Sequence, residues 1–248
     1  MTDPLFLADL DAPKVGEEFT LTGDEGRHAA GVRRIRVGEN VTVADGAGTG
    51  IRGPVTAVDK ASVTLTVAEV LTAGTPRVRY TAVQALAKGD RAELAVEMLT
   101  EVGVDRIVPW QASRSVVRWT NDREGRQLGR WRAIARSATK QSRRLRVPIV
   151  TAAVSTDELG LLVSQQATAL ILHEGAALPL AALDLPAEGE VLVIVGPEGG
   201  LTDDEIATFE AAGARQVLVS DAVLRTSTAG VVALAQLQAL QRTLDPAT

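Results

Sequence analysis

Apolar residues alternate with polar ones in short runs over the first third of the chain, and form longer continuous or helically spaced runs over the rest. Glu18-Phe19-Thr20-Leu21, Val41-Thr42-Val43, Val55-Thr56-Ala57-Val58 and Val63-Thr64-Leu65-Thr66-Val67 mostly put an apolar side chain at every second position, the spacing of a half-buried strand. Turn residues separate these runs, so the stretch from Val15 to Leu71 predicts a small β-barrel or sandwich. A basic stretch from Arg27 to Arg36 interrupts the alternation and predicts a short helix. Thr72-Ala73-Gly74-Thr75-Pro76 then punctuates the chain, which suggests a domain over residues 1–72 and a second over 73–248.

Beyond that boundary strands and helices alternate. A strand from Val78 to Leu86 leads to a helix from about Gly89 to Val102, stopped by Gly103, and then to a short strand at Ile107-Val108. A longer helix, about Asp122 to Ser142, carries Leu128, Trp131, Ala135 and Ala138 on one stripe and Arg132, Arg136, Lys140 and Arg143 on another. A helix is expected near residues 156–165. Ala169–Leu172 and Val191–Val195 are continuously apolar, as strands covered on both faces are. Thr202 with Glu205 forms a capping box for a helix over 203–212, and Leu201 with Ile206 a hydrophobic staple. Val217–Val219 and a last helix from Thr228 to Arg242 complete an alternation that predicts a parallel α/β sheet.

Composition narrows the chemistry. Apolar residues make up 46% of the 248 positions and charged residues 23%, which is a globular balance. Aromatics at 3% argue against extensive base-stacking platforms, and the absence of cysteine removes disulfides, thiolate metal sites and cysteine nucleophiles. His28 and His173 are the only histidines, too few for a three-histidine metal site, so no metal is expected. Met1 to Leu10 has acids where a signal peptide needs bases, and no run approaches the ~18 apolar residues of a membrane span. A cytoplasmic protein with no membrane partner is the expectation.

The net charge of −5 hides its distribution. Residues 1–113 sum to −4, residues 114–148 to +9 and residues 149–248 to −10. A polyanion responds to the local field, because screening at physiological salt sets in at about 8 Å. One segment of this acidic chain is therefore suited to nucleic acid.

Three loops carry candidate chemistry. Gly48-Thr49-Gly50-Ile51-Arg52-Gly53 has the spacing of a dinucleotide fingerprint, yet that fingerprint must open a helix, whereas Pro54 and the run Val55–Val58 predict another strand. Gly196-Pro197-Glu198-Gly199-Gly200 lies between an apolar strand and a capped helix, at the end of a parallel strand where open sheets bind ligands. It lacks the Lys-Ser/Thr of a phosphate-binding P-loop. Ser220–Ala229 forms a second turn of this kind, and its Arg225 is one of three basic residues after position 148, a candidate anion or oxyanion ligand. Leu172-His173-Glu174-Gly175 ends a third strand.

Gly196–Thr202 followed by Leu224-Arg225-Thr226-x-Thr228-Ala229 resembles the cofactor-binding motif pair of the SPOUT methyltransferases, specifically the ribosomal small-subunit RNA uracil-N3 methyltransferases. Further landmarks follow in the family's order: His28 with Val32-Arg33-Arg34, Val37-Gly38-Glu39, Lys88-Gly89-Asp90-Arg91, Thr100–Val104, Arg114-Ser115-Val116, and Gln141-Ser142-x-Arg144 with Pro148. Met98 stands where many members have Lys, Ser113 and Lys140 where many have Glu, Ser220 where Gly is usual and Ser227 where Glu is usual.

The resemblance implies a PUA-like β-barrel before an α/β, parallel-sheet SPOUT domain with a deep trefoil knot. It implies S-adenosylmethionine held at Leu172, His173, Glu174, Gly196, Pro197, Glu198, Gly199, Gly200, Val219, Ser220, Val223 and Leu224. It implies a homodimer acting on small-subunit ribosomal RNA, free or in the assembled subunit. Arg225 then places positive charge beside the carbonyl oxygens flanking N3, and Glu198 orients the base or accepts its proton. Arg27, Arg33, Arg34, Arg36, Arg114, Arg132, Arg136, Lys140 and Arg144 are the expected RNA ligands. Rival readings are a non-catalytic RNA-binding or ribosome-assembly protein, a hydrolase using His28 or His173, and transfer to a ribose 2′-hydroxyl or guanine N1.

Overall fold

A computed structural model describes residues 3–244 and divides the chain into two compact units. One takes in the chain up to Thr75 together with Arg136–Val147; the other takes in Pro76–Ala135 and the chain from Pro148 onward.

In the first unit β1 (Leu5–Leu7), β2 (Glu18–Leu21), α1 (Gly23–Arg27), β3 (Asn40–Ala44), β4 (Thr49–Val58), β5 (Val63–Thr66) and β6 (Glu69–Thr72) follow in order. The strands form one mixed sheet, β1-β3-β4-β5-β2, with β6 on β4 and with β1 parallel to β3. The path is a half-barrel, since no pairing among the described residues joins β1 to β2. The longest strand, β4, pairs β3 and β6 through residues 49–54 and β5 through residues 55–58, with a bulge between Val55 and Ala57. Gly53 marks the change of partner. A Cβ there would fall 1.8 Å from the Thr66 carbonyl oxygen, so the neighbouring backbone can approach only a glycine. The fingerprint-like glycines thus lie before and within a strand, as Pro54 and the alternation require. Phe6, Leu21, Val41, Val43, Ile51, Val55, Val63 and Leu65 fill the core from one sheet face.

The helix expected over Arg27–Arg36 is displaced toward the N-terminus. It starts at Gly23, where Asp24 and Glu25 favour the positive helix end, and runs through a π-turn at His28–Val32. Arg34 at φ 52° then reverses the chain, and Ile35 N–H bonds the Ala29 carbonyl in a Schellman-like closure. Arg33, Arg34 and Arg36 therefore lie beyond the helix, exposed.

The second unit contains β7 (Val78–Ala85), α2 (Arg91–Val102), β8 (Arg106–Trp110), the first part of α3 (Asn121–Ser142), β9 (Ile149–Val150), α4 (Thr156–Ser164), β10 (Thr168–Leu172), β11 (Gly189–Val195), α5 (Asp203–Ala211), β12 (Arg215–Val217) and α6 (Thr226–Leu244). Its sheet is parallel throughout, in the order β12-β10-β11-β7-β8-β9. Two apolar clusters cover its faces. One holds Leu99, Trp131, Val193, Leu234 and Leu237, the other Trp110, Leu159, Ile171, Ile194 and Phe209, which explains the unbroken apolar runs in β10 and β11. Gly103, at φ 93°, caps α2.

The last strand and helix both start two residues earlier than the sequence pattern predicts. Arg215, Gln216 and Val217 pair with Leu170, Ile171 and Leu172, after which Leu218 N–H turns to the Leu178 carbonyl and leaves the sheet.

Candidate active site at the strand ends

Beyond β10 and β12 the chain leaves a pocket lined by Leu172, His173, Glu174, Leu218, Val219, Ser220, Ala222, Val223, Leu224 and Ala229. Parallel strands direct their carboxyl ends to one edge of the sheet, so loops distant in sequence meet there. Of the residues expected to hold a cofactor, Leu172, His173, Glu174, Val219, Ser220, Val223 and Leu224 come together here. His173 Nδ1 accepts the Gly175 N–H at 3.1 Å, which leaves its proton on Nε2. Ser220 Oγ accepts the Ala222 N–H at 3.1 Å, and Gln236 Nε2 donates to the Val219 carbonyl at 3.0 Å, so two side chains hold the second turn's main chain. Val223 is 79% exposed and gives the rim an apolar edge.

Gly196–Gly200 does not line that pocket; it follows β11, the neighbour of β10. Its conformation is held from several sides. A Cβ on Gly196 would meet Leu201 Cδ1 at 2.9 Å, and Gly200 has φ 71°. Arg114 Nη1 donates to the carbonyls of Gly199 and Leu201 at 3.1 and 2.9 Å. Glu198 Oε1 accepts from the Lys88 N–H and from Arg91 Nη1, both at 3.3 Å. Thr226 and fully buried Gln84 join this turn to the next, through Thr226 Oγ1 to the Gly196 carbonyl and Gln84 Nε2 to Thr226 Oγ1. Glu205 completes the setting. Burial pushes its carboxyl up, but the N–H groups of Ser113 at 2.7 Å and Thr202 at 2.9 Å outweigh that and leave it below the ordinary range.

Arg225 stands immediately before α6 with its side chain exposed, and its guanidinium joins no ion pair among the described residues. Its carbonyl, by contrast, accepts from Thr228 and Ala229 N–H and so fixes the backbone that carries it.

The basic residues fall into two kinds. Arg33, Arg34, Arg36 and Arg136 are exposed. Arg27 pairs with Asp24, Lys140 Nζ pairs with Glu25 at 2.7 Å, and Arg132 donates Nε and Nη2 to the Val150 carbonyl at 3.2 and 3.1 Å. Arg114 is committed to the Gly-rich turn, and Arg144 is partly buried. Two residues with clear positions here escaped the sequence reading. Arg91 appeared only as a motif letter, and Gln84 left a trace as the one amide in an apolar strand.

Residues 75–238 match the model of an RNA methyltransferase domain, and residues 21–68 match that of an RNA methyltransferase PUA domain. The chain is 41% identical over 238 residues to ribosomal RNA small subunit methyltransferase E of Mycobacterium tuberculosis, covering 94% of this chain and 90% of the relative. It is 28% identical to the protein of that name from Bacillus subtilis, over 87% and 88% of the two chains. Among solved structures, ribosomal RNA small subunit methyltransferase E from Neisseria gonorrhoeae bound to S-adenosyl methionine superposes with a TM-score of 0.84 at 29% identity, over 96% and 98% of the two chains.

Proposed function

Because the chain belongs to the ribosomal RNA small subunit methyltransferase E family, we propose that it transfers the methyl group of S-adenosylmethionine to N3 of a specific uridine in 16S ribosomal RNA. The observation that carries this reading is the pocket beyond β10 and β12, flanked by the Gly-rich turn of β11, in a chain whose relative is described with that cofactor bound.

The residues present fit the cofactor. The pocket lining is largely aliphatic, with the small Ser220, Ala222 and Ala229 among it, Val223 offers an apolar edge to a ring, and Gly196 and Gly199 stand where side chains would crowd Leu201 and Arg114. When bound, S-adenosylmethionine supplies an electrophilic methyl group. Uracil N3 sheds its proton only well above neutral pH, so the chain must lower the cost of an imide anion. Arg225 does this with an unpaired guanidinium, whose fork suits the carbonyl oxygens beside N3. Glu198, already bonded to Arg91 and the Lys88 N–H, anchors the turn and orients the base rather than accepting its proton.

N3 lies on the pairing edge, so the target base must be unpaired or extruded. Arg33, Arg34, Arg36 and Arg136 hold phosphates of the RNA, with Arg27, Lys140, Arg144, Arg132 and Arg114 in lesser roles set by their existing partners. The reading includes a homodimer, a cytoplasmic location and a PUA-like domain over residues 1–72 before a methyltransferase domain over 73–248. It also includes a trefoil knot at the second turn, supported by α6, which leaves edge strand β12 yet packs on β7, β11 and α2. No helix among the described residues is long and apolar enough to cross a membrane.

The test is to treat unmodified 16S ribosomal RNA with the purified protein and S-adenosylmethionine and map the product. One 3-methyluridine is expected; methylation of a ribose or a guanine would overturn the assignment, and binding without transfer would favour an assembly factor.

A further inference from the structure

Two strands from the cofactor pocket, a second cavity of about 240 Å³ opens beyond the end of β7. Buried Leu86 and Ala87 line it just past β7, together with Val117 and Trp119 and with Gln127 and Trp131 of α3. The Trp119 ring is half-buried and held in place. Trp131, itself buried, meets it edge-on with ring centroids 5.2 Å apart, and the Trp119 backbone N–H donates to Gln111 Oε1 at 3.1 Å, which fixes the main chain that carries the ring. Asp90, Gln127 and the Glu93–Arg130 ion pair, at 2.6 Å, provide the polar groups. Asp90 occupies the N-cap of α2 without spending its carboxylate on a cap bond.

This combination selects among the parts of an RNA. Asp90 repels a phosphate, the Glu93–Arg130 pair being neutral overall, and an aromatic ring with a free carboxylate nearby suits a flat ring that carries an amino group. Exposed Arg118 and Arg126 neighbour the wall residues in sequence and supply cations for phosphates outside the cavity. Two strand spacings of about 4.8 Å separate the ends of β10 and β7, within the reach of nearby nucleotides in one strand. Lys88 and Arg91, which hold Glu198, belong to the turn and helix whose Gly89, Asp90, Ala92 and Glu93 line the cavity, so the two sites share a frame.

We propose that this cavity receives an unpaired, amino-bearing base flanking the target uridine, stacked on Trp119 with its amino group donating to Asp90. The proposal rests on the methyltransferase reading above. Steady-state methylation of 16S ribosomal RNA by wild type, Trp119→Ala, Trp119→Phe and Asp90→Asn tests it, with melting temperature and S-adenosylmethionine affinity measured alongside. Trp119→Ala should raise KM for RNA about 5- to 150-fold, the span of one lost base stack, with kcat and cofactor affinity nearly unchanged. Trp119→Phe should recover most of the loss. Asp90 is exposed, so Asp90→Asn keeps the test open if the alanine variant fails to fold, and it should raise KM several-fold. Normal KM in the folded variants overturns the proposal, as does a loss of cofactor affinity equal to that for RNA. A wild-type protein that transfers no methyl group to this RNA overturns the parent reading instead.

Discussion

Thr226 Oγ1 donates to the carbonyl oxygen of Gly196 across 2.8 Å, fastening the residue that opens α6 to the turn that follows β11. Gln84 Nε2 in turn donates to Thr226 Oγ1 at 3.0 Å and reaches the Thr226 carbonyl at 3.3 Å. Both side chains are buried, so water cannot replace these bonds cheaply. The two turns that resemble the family's cofactor motifs thus share one polar link.

Thr226→Val keeps the shape and removes that link. Leaving the Gly196 carbonyl without the Thr226 hydroxyl, while the Gln84 amide keeps the Thr226 carbonyl, costs about 1–3 kcal/mol, which should weaken S-adenosylmethionine binding roughly tenfold by calorimetry. Thr226→Ser restores the hydroxyl and should bind nearly as wild type.

Arg225→Ala should slow single-turnover methylation by about 10²–10³, the usual loss for one oxyanion donor, with little change in cofactor affinity. Arg225→Lys keeps the charge without the planar fork and should be partly active. Raising the pH should recover part of the alanine variant's rate, because more uracil is then already deprotonated.

RNA affinity should depend on the exposed arginines more than on the paired ones. Replacing Arg33, Arg34 and Arg136 with Ala should reduce the slope of log affinity against log salt by about 2, at roughly 0.7 for each phosphate left without its cation. Lys140→Ala should change the slope less, since Glu25 already holds that ammonium. Filter binding over a salt series measures both.

Acid stability should carry a signature of Glu205. Its carboxyl is depressed in the folded state, so its stabilisation is present above the ordinary glutamate pKa and is lost as pH falls through the lower folded value. Glu205→Gln should lower the melting temperature near neutrality and flatten its fall toward acid, measured as the difference from wild type at each pH.

A homodimer should sediment at about twice the 26.1 kDa chain mass at low micromolar concentration. A fully active monomer would remove the homodimer from the reading.

The parallel sheet was legible because β10 and β11 are unbroken apolar runs and because Thr202 and Glu205 announce α5. Leu5-Phe6-Leu7 was not read as a strand. All three side chains are buried, Phe6 toward one apolar cluster and Leu5 and Leu7 toward another, so no alternation marks them, and their partner in β3 lies far along the chain. The glycines and Arg225 stood out by type and spacing. What sequence order could not supply was which groups neutralise one another across elements: Arg91 and Glu198 lie 107 positions apart, Lys140 and Glu25 115. Nothing in the pattern around Trp119 distinguishes it from a core aromatic, and only the fold sets it at the wall of a cavity.

The double allegiance of β4 bears on how the first unit comes apart. Its early residues hold β3 and β6 and its later residues hold β5, with the close approach at Gly53 between them. Because both halves of the sheet share this strand, amide hydrogens at both ends are expected to exchange with one common free energy. The first unit would then be a single cooperative block, in which a lesion anywhere along β4 loosens the segment that carries exposed Arg33, Arg34 and Arg36.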